Sequence, residues 1–468
     1  MTRTPSRRRL ATGALALAGL VLTAAGCGAP GPSGGSQDGT GDGSDGSGGP
    51  QAISTDPSKA GEVTLRVWDQ EVRGGQNAEI TQLNQEFEEK YPNVTIERTA
   101  KSFSDLKTTL KLALSGNNPP DVVEVNQGYP DMVSFVKAGM LLPLDDYAEA
   151  YGWADRYPSS LLDLNRVSED ASHFGEGHLY GLSQMGEYVG IYYNKAKLDD
   201  LGLEPPQTWS DFTAALDKAK SAGELPIQFG NLDQWPAIHT FGVIQDQIAG
   251  KDYPRNLVFG TGDAAWTDPG TVEAATTLQQ WVDQGYFGDS VNGVGYDDSM
   301  KHFAAGQGVF MITGTWAAAD LKGPMGESLG LMVPPPGAAG SSGSVATTGG
   351  ESLAFGVTSK SDHADVAAAY IDFLTNEHAA DVMTETGNLP AVPGEAAQQL
   401  PEGTIDAQLV EGWQQLSEDN GLVPYLDYST PTFYDTITAA LQSLIGGQSS
   451  PEEFAQTLQD DYAAFHQE

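Results

Sequence analysis

Apolar residues recur along the chain with two different periods. From residue 62 onward the first such stretch has Val63, Leu65 and Val67 at alternate positions, the pattern of a half-buried strand. The segment 76–91 then places apolar residues at helical spacing, and Pro92 predicts its end. A strand followed directly by a helix predicts the first unit of an α/β fold.

The alternation of strand and helix continues through the chain, which favours a parallel α/β sheet. Two helix starts carry capping-box patterns, Thr208 with Asp211 and Ser450 with Glu453. Strands are predicted over 94–97, 121–125, 188–193, 226–229, 309–312 and 353–357, and helices over 106–115, 209–219, 272–282, 300–304, 366–374, 433–444 and 451–462.

Length and composition limit the possible classes of protein. A chain of 468 residues exceeds the roughly 250–300 residues that one core organises, so two lobes are expected. The net charge of −39 repels nucleic acid and anionic lipid, which excludes both as main partners. Aromatic residues make up 9% of the chain, enough for a globular core.

The N-terminal region has the layout of an exported lipoprotein. Residues 1–26 combine arginines with an apolar run and predict a signal peptide. The run ends at Cys27 in a sequence that resembles the bacterial lipobox, and 27–61 predicts a lipidated cysteine followed by a flexible Gly/Ser-rich linker. Arg7-Arg8-Arg9 fits either a twin-arginine signal or an ordinary basic region. A single cysteine excludes an intramolecular disulfide framework.

The sequence contains few signs of catalysis. It has no phosphate-binding loop, no His-Glu-x-x-His motif and no dinucleotide fingerprint after a strand. Its seven histidines are scattered, and neighbouring acids such as Asp297 and Asp298 do not predict carboxylates that converge on one bond. We therefore expect no cofactor, no metal and no enzymatic activity.

Large aromatic residues follow several predicted strands, where open α/β sheets bind ligands. Trp68, Tyr129, Trp235 and Trp316 each lie close to glycine, amide or carboxylate residues. A sugar ring stacks its C–H face on such rings while its hydroxyls exchange hydrogen bonds at the edge. This pattern favours a carbohydrate site.

Over residues 63–465 the chain resembles the family-1 extracellular solute-binding proteins, the maltose-binding-protein-like carbohydrate receptors of ABC importers. The order and spacing of several short motifs carry the resemblance. They are Thr64 to Trp68, Phe87 to Pro92, Pro120 to Val123, Gly139 to Leu144, Tyr180 to Leu182, Tyr192 to Lys195, Pro206 to Trp209, Phe303 to Gln307 and Gly314 to Trp316.

The resemblance implies an α/β, two-lobed, periplasmic-binding-protein-like fold with a hinge between the lobes. Lobe 1 would comprise 62–183 plus 334–377 and lobe 2 187–330 plus 378–468, with crossings near 183–187, 330–334 and Glu377. The ligand positions that it implies are Trp68, Asp69, Glu71, Asn126, Gln127, Glu187, Asp233, Trp235, Asp297, Asp298, Trp316, Gly350, Glu351 and Phe433 or Tyr434.

The predicted function is a lipid-anchored substrate-binding component of an ABC transporter on the extracellular face of the membrane. It would bind a sugar or oligosaccharide as a monomer and deliver it to the permease subunits. Two alternatives remain at this point. One is a secreted carbohydrate-active enzyme, such as a lyase or glycosidase, and the other is a receptor for a non-sugar solute such as a peptide, a polyamine or a metal.

Overall fold

The computed structural model describes residues 53–337 and 345–466. The predicted signal peptide, Cys27 and most of the predicted linker lie outside these residues. Residues 53–61, which were predicted to belong to the flexible linker, instead pack on the folded body: the Ser54 N–H donates to Asp365 at 3.0 Å, and the Asn93 side chain donates to the carbonyls of Pro57 and Gly61. The strands are β1 Val63–Asp69, β2 Val94–Ala100, β3 Val122–Val125, β4 Arg166–Val167, β5 His178–Leu179, β6 Gly186–Asn194, β7 Phe310–Gly314, β8 Leu329–Met332, β9 Thr347–Glu351, β10 Ala354–Val357 and β11 Leu422–Val423.

Helices cover both main sheets and join their strands. They are α1 Gly74–Lys90, α2 Phe103–Ser115, α3 Ser134–Lys137, α4 Asp145–Tyr151, α5 Trp153–Arg156, α6 Ser159–Leu162, α7 Lys195–Leu201, α8 Trp209–Ser221, α9 Pro236–Ala249, α10 Asp252–Phe259, α11 Pro269–Asp283, α12 Tyr296–Ala304, α13 Ala318–Met325, α14 Ala364–Leu374, α15 Glu377–Glu385, α16 Ile405–Glu418, α17 Phe433–Ile445 and α18 Pro451–His466. None of the helices in the described part of the chain has the length and apolarity needed to cross a bilayer.

The first sheet has the strand order β10-β3-β1-β2 and forms the centre of what we call lobe 1. Strands β1, β2 and β3 are parallel, as predicted, because helices α1 and α2 connect them. Strand β10 returns from the far part of the chain and pairs antiparallel with β3. Helix α1 packs against α14 and α15 on one side of this sheet.

The second sheet forms the centre of lobe 2 and is mixed, whereas the sequence favoured a parallel sheet. Its long buried strand β6 pairs antiparallel with β7, β8 and β9, and β11 lies parallel to β9. The predicted strand over 226–229 contributes only an isolated bridge between Ile227 and Phe310. Pro226 has no N–H to extend that ladder.

The strand pairing places the connections between the sheets partly elsewhere than predicted. The chain enters β6 at Gly186, close to the predicted first crossing at 183–187. Both β8 and β9 pair with β6, so the chain changes sheets between Glu351 and Ala354 rather than near 330–334. Helix α15 still packs against α1 of lobe 1, and the third connection follows it instead of falling near Glu377.

Both predicted helix caps are present. The Thr208 hydroxyl accepts a hydrogen bond from the Asp211 N–H at 3.1 Å at the start of α8. At the start of α18 the Ser450 hydroxyl accepts from the Glu453 N–H at 3.2 Å, and the Glu453 carboxylate accepts from the Ser450 N–H at 2.9 Å. Each pair satisfies N–H groups that a helix start leaves open.

Candidate functional site

A cavity of about 80 Å³ lies between the two sheets. Lobe 1 supplies residues that follow β1 and β3, since the carboxyl ends of parallel strands meet at one edge of a sheet. Lobe 2 supplies the start of α9, the turn after β7 and the segment before α17. The lining residues are Gln70, Arg73, Gln76, Phe103, Asn126, Glu187, Trp235, Ile238, His239, Trp316, Leu353, Tyr425, Asp427 and Tyr434.

Four rings of lobe 2 form one wall of this cavity. The ring centre of His239 lies 5.2 Å from that of Trp235, 5.3 Å from that of Trp316 and 5.3 Å from that of Tyr425. Trp235 and His239 are one helical turn apart, which places both on the same face at the start of α9. We call these four residues the aromatic wall.

A chain of hydrogen bonds fixes the orientation of Trp316 in the aromatic wall. Its indole N–H donates to the Tyr296 hydroxyl at 2.6 Å, and that hydroxyl lies 2.8 Å from the Thr313 hydroxyl. Because the polar edge of the indole is already satisfied within the protein, the apolar face of the ring is what it offers to the cavity.

Two carboxyl groups reach the cavity from different segments. The Glu187 side chain is almost fully buried, and the Tyr425 hydroxyl donates to it over 3.5 Å. Burial raises the pKa of Glu187 to about 8, and the nearby Glu71 acts in the same direction. Burial also raises the pKa of Asp427 to about 6, against the attraction of Lys107. Burial destabilises both groups as anions, because Arg73 and Lys107 attract them without forming an ion pair with either.

Arg73 lines the cavity and reaches across it from lobe 1. Its guanidinium lies 3.5 Å from the carboxylate of Asp297 and 5.4 Å from the ring centre of Tyr296, both on α12 of lobe 2. His239 adds no second cation, because burial lowers its pKa to about 3 and keeps the imidazole neutral.

Further contacts close the space between the lobes. The Phe103 ring at the start of α2 lies with its centre 6.3 Å from that of Trp235 and 6.5 Å from that of Tyr434. The Tyr428 hydroxyl donates to the Gln127 side-chain oxygen at 3.0 Å. The lobes therefore touch in this conformation.

The structure brings five of the predicted ligand residues into the cavity: Asn126, Glu187, Trp235, Trp316 and Tyr434. Three others lie near its outer side. Asp297 pairs with Arg73, Asp298 pairs with Lys301 on the surface at 3.1 Å, and Asp233 accepts the Tyr296 N–H at 2.7 Å at the start of α12. Asp233 therefore supports the helix that holds Tyr296.

Seven predicted ligand residues do not line the cavity. Asp69 forms two hydrogen bonds of 2.7 Å with Arg98, because β1 directs its carboxylate towards β2. Glu71 is fully buried behind the cavity, and Phe433 is fully buried against Trp266. The Lys101 ammonium group packs over the ring of Trp68, and Gly350 lines a different cavity. The Gln127 side chain donates to the Ser352 carbonyl. The Glu351 carboxylate accepts a hydrogen bond from Asn165.

Several lining residues were missed by the sequence analysis. Gln70 and Arg73 belong to the same loop as the predicted Asp69 and Glu71, so the position of the loop was informative although the individual residues were not. His239 lies one helical turn after Trp235, a spacing that could have identified it. No periodicity marks Tyr425 or Asp427, because they belong to the short 3-10 helix Leu426–Ser429 and the residue before it.

A second cavity of about 690 Å³, which we call the rear cavity, is lined by a different set of residues. Glu187 of β6 and Gly350 of β9 are register partners, but Glu187 lines the first cavity and Gly350 lines the second. Both lobes contribute to this rear cavity, through Phe174 and Trp413 among others. The first cavity is therefore nearly filled, whereas the rear cavity is much larger.

A family model for bacterial extracellular solute-binding proteins matches residues 74–381, from the start of α1 into α15. The chain belongs to this family of extracellular solute-binding proteins. Its members are receptors, and the two-lobed arrangement of sheets and hinge is the periplasmic-binding-protein-like fold predicted from the sequence.

Individual members of the family are similar at modest identity. An uncharacterized ABC transporter extracellular-binding protein of Pyrococcus horikoshii is 26% identical over 286 residues, which cover 59% of this chain and 61% of that protein. The multiple sugar-binding protein of Streptococcus mutans is 24% identical over 327 residues, 69% of this chain and 73% of that protein. A solved chitin oligosaccharide binding protein superimposes with a TM-score of 0.73 at 24% identity, covering 87% of this chain and 100% of that one.

Proposed function

We propose that this solute-binding protein is the extracellular receptor of an ABC importer and binds a sugar or oligosaccharide. The aromatic wall carries the proposal, since its rings face the polar side chains of Gln70, Asn126 and Glu187 across the cavity. Rings opposite hydrogen-bonding groups suit a sugar, which has apolar C–H faces and a hydroxylated rim. The names of the Streptococcus mutans and chitin oligosaccharide relatives support the same ligand class.

A thermal-shift screen over neutral mono-, di- and oligosaccharides, followed by calorimetric titration of the hits, tests the proposal. A ligand at 100 times its dissociation constant stabilises the protein by about 2.7 kcal/mol. Trp235→Ala should abolish the thermal shift that the sugar causes, because the substitution removes one ring of the aromatic wall. Failure of every sugar to bind wild-type protein would contradict the proposal.

Closure of the two lobes on the sugar is part of the proposed mechanism. Lobe 1 contributes Arg73, Phe103 and Asn126 to the cavity, and lobe 2 contributes Trp235 and Trp316. A sugar that contacts both sets binds the closed form more tightly than the open form and shifts the population towards it. The closed form would then be the one that the permease subunits receive.

An enzyme is the second candidate, because Glu187 and Asp427 line one cavity although they are far apart in sequence. Their pKa values of about 8 and about 6 would leave one carboxyl protonated and the other ionised near neutral pH, as a glycosidase requires. Prolonged incubation with a bound oligosaccharide separates the two candidates. A receptor returns the sugar intact, whereas repeated cleavage that is lost in Glu187→Gln supports the enzyme.

We further propose that Cys27 carries a lipid and that residues 28–52 tether the folded body, which begins at Ile53, to the extracellular face of the membrane. The proposal rests on the sequence before and after Cys27, which lies outside the described residues. A linker of about 25 residues with this composition would span roughly 28 Å on average.

A further inference from the structure

The carboxyl groups of the cavity have no positive partner within the described chain. No lysine, arginine or histidine nitrogen of the described residues lies within ion-pairing distance of Glu187 or Asp427. The nearest cations are already engaged. Arg73 pairs with Asp297 at 3.5 Å, and Lys107 pairs with Asp131 at 2.5 Å.

The protein behind the cavity increases this imbalance. Glu71, Glu79 and Glu124 are fully buried in lobe 1 beneath the loop that follows β1. Both carboxylate oxygens of Glu71 and of Glu79 lack a hydrogen-bond partner. The charge of Glu71 raises the pKa of Glu187, so the two carboxyl groups interact electrostatically. Burial raises the pKa values of all three carboxyl groups, and a cation bound nearby would favour their ionised forms.

An independent feature of the cavity is also suited to a cation. The Trp235 and Trp316 ring centres lie 6.1 Å apart, and Tyr425 both extends the aromatic wall and donates to Glu187. The faces of Trp and Tyr rings attract ammonium groups within about 6 Å of their centres. Gln76 is 2% exposed and lines the same cavity, and its side-chain oxygen has no donor. An ammonium group could donate to that oxygen.

We propose that the physiological ligand is an amine-bearing sugar whose protonated amino group is received by the Glu187 carboxylate beside the aromatic wall. The inference rests on the proposed function and narrows it from sugars in general to basic sugars. The ammonium group of the ligand supplies the ion-pair partner that Glu187 lacks, while the ring carbons of the ligand stack on Trp235 or Trp316. Asp427 adds a second carboxyl group to the lining of the same cavity.

Proton release should accompany binding of such a ligand. Glu187 is mostly uncharged near pH 7 in the free protein, since burial raises its pKa to about 8. An ammonium group beside it stabilises the ionised form, so the carboxyl proton passes to the buffer. The titratable and charged groups around Glu187 are Glu71, Arg73, Glu351, Tyr425, Asp427, Tyr428 and the neutral His239. Arg73 is the one cation among them, and the carboxylate that it pairs with is that of Asp297 and not that of Glu187.

Matched pairs of hexosamine oligosaccharides test the inference by calorimetric titration. Each pair, of gluco and of galacto configuration, consists of the free amine and the N-acetylated form of the same length. We expect the free amine of one configuration to bind at least about tenfold more tightly than its acetylated partner. In two buffers with different ionisation enthalpies, the apparent binding enthalpy should differ in proportion to the protons released.

Substitution separates the role of Glu187 from a general charge effect. Glu187→Gln keeps the size of the side chain, and we expect it to reduce the preference for the amine to less than about threefold and to abolish proton release. Asp200→Asn makes the same change of charge at an exposed site on α7 and should preserve both.

The outcomes distinguish this inference from the proposed function. Equal or tighter binding of the acetylated forms, or a preference that persists in Glu187→Gln, overturns the inference. Binding of neutral sugars from the screen without any binding of amines overturns it and leaves the proposed function intact. If no sugar of either kind binds, both fail.

Discussion

The Phe103 ring lies edge-on to the Trp235 ring across the cleft, with the ring centres 6.3 Å apart. Phe103 begins α2 in lobe 1, and Trp235 directly precedes α9 in lobe 2. This contact leaves a cavity of about 80 Å³ beside it, well below the roughly 300–1,000 Å³ of typical ligand sites. The conformation is therefore a closed one, and a ligand must enter through a more open form.

The first prediction concerns the change in shape on binding. If the free protein opens at the crossing strands, saturation with a sugar that binds should reduce the radius of gyration measured by X-ray scattering. Phe103→Ala removes a contact between the lobes. The radius of gyration of the free variant should therefore exceed that of free wild-type protein. Scattering curves that superimpose for free and saturated protein would contradict opening.

A second prediction uses the rear cavity, which both lobes line in the closed form. A hinge that opens at the front narrows at the rear, so a bulky residue there opposes opening. Ser417→Trp on α16 should therefore raise sugar affinity by about three- to tenfold by favouring the closed population. Gln414→Trp is exposed on the same helix and does not line the cavity, and it provides the control. Equal affinities for the two variants in calorimetry would refute the mechanism.

The third prediction compares two tryptophans with different roles. Trp316 is half-buried in the aromatic wall, and Trp316→Ala should weaken sugar binding by on the order of 2 kcal/mol with a small effect on stability. Trp266 is fully buried against Phe433, so Trp266→Ala should lower the free energy of unfolding by about 3–5 kcal/mol. Titration calorimetry and urea melts of both variants measure the difference. A large loss of stability with unchanged affinity in Trp316→Ala would exclude it as a ligand residue.

The fourth prediction is that stability falls as the pH rises from about 6.5 to about 8.5. Burial raises the pKa values of Glu187 and Asp246 to about 8, so in this range the native state holds protons that the unfolded chain has released. Each such group lowers the free energy of unfolding by up to about 1.4 kcal/mol per pH unit. The lowered pKa of His239 has the opposite effect but acts mainly below this range.

Asp246→Asn tests this pH dependence directly. The Asp246 side chain accepts from the Thr348 hydroxyl at 3.1 Å, a bond that the amide oxygen of asparagine can retain. The variant should be more stable than wild type at pH 8.5, with a shallower pH dependence in urea melts. Asp252→Asn changes an exposed carboxylate nearby and should keep the wild-type slope. A slope that is the same in all three proteins would contradict the prediction.

The last prediction concerns the membrane anchor. Cys27→Ala removes the thiol that would receive the lipid, so the variant should appear in the medium or retain its signal peptide. Fractionation of cells with mass analysis of the N-terminus measures this. A variant that stays at the membrane with its leader removed at the same place would show that Cys27 is not the anchor.

The sequence by itself determined the elements whose local signals are strong. Strand β1 follows the alternation of Val63, Leu65 and Val67, and α8 and α18 begin at their capping boxes, because these signals involve residues close together in the chain. Strand β9 has the sequence Thr-Thr-Gly-Gly-Glu and no apolar period. It forms because β6 and β11 pair with it, which only the tertiary structure shows.

The candidate site was predicted only in part, because local sequence patterns mark some of its residues and not others. Trp235 and Trp316 could be found because each follows a strand or turn with a recognisable local pattern. Tyr425 and Asp427 enter the cavity only through the packing of distant segments. Phe433 and Tyr434 are neighbours on α17, yet the turn of the helix buries Phe433 against Trp266 and directs Tyr434 to the cavity. The sequence identified the helix. The packing of the surrounding structure against it determines which of the two rings lines the cavity.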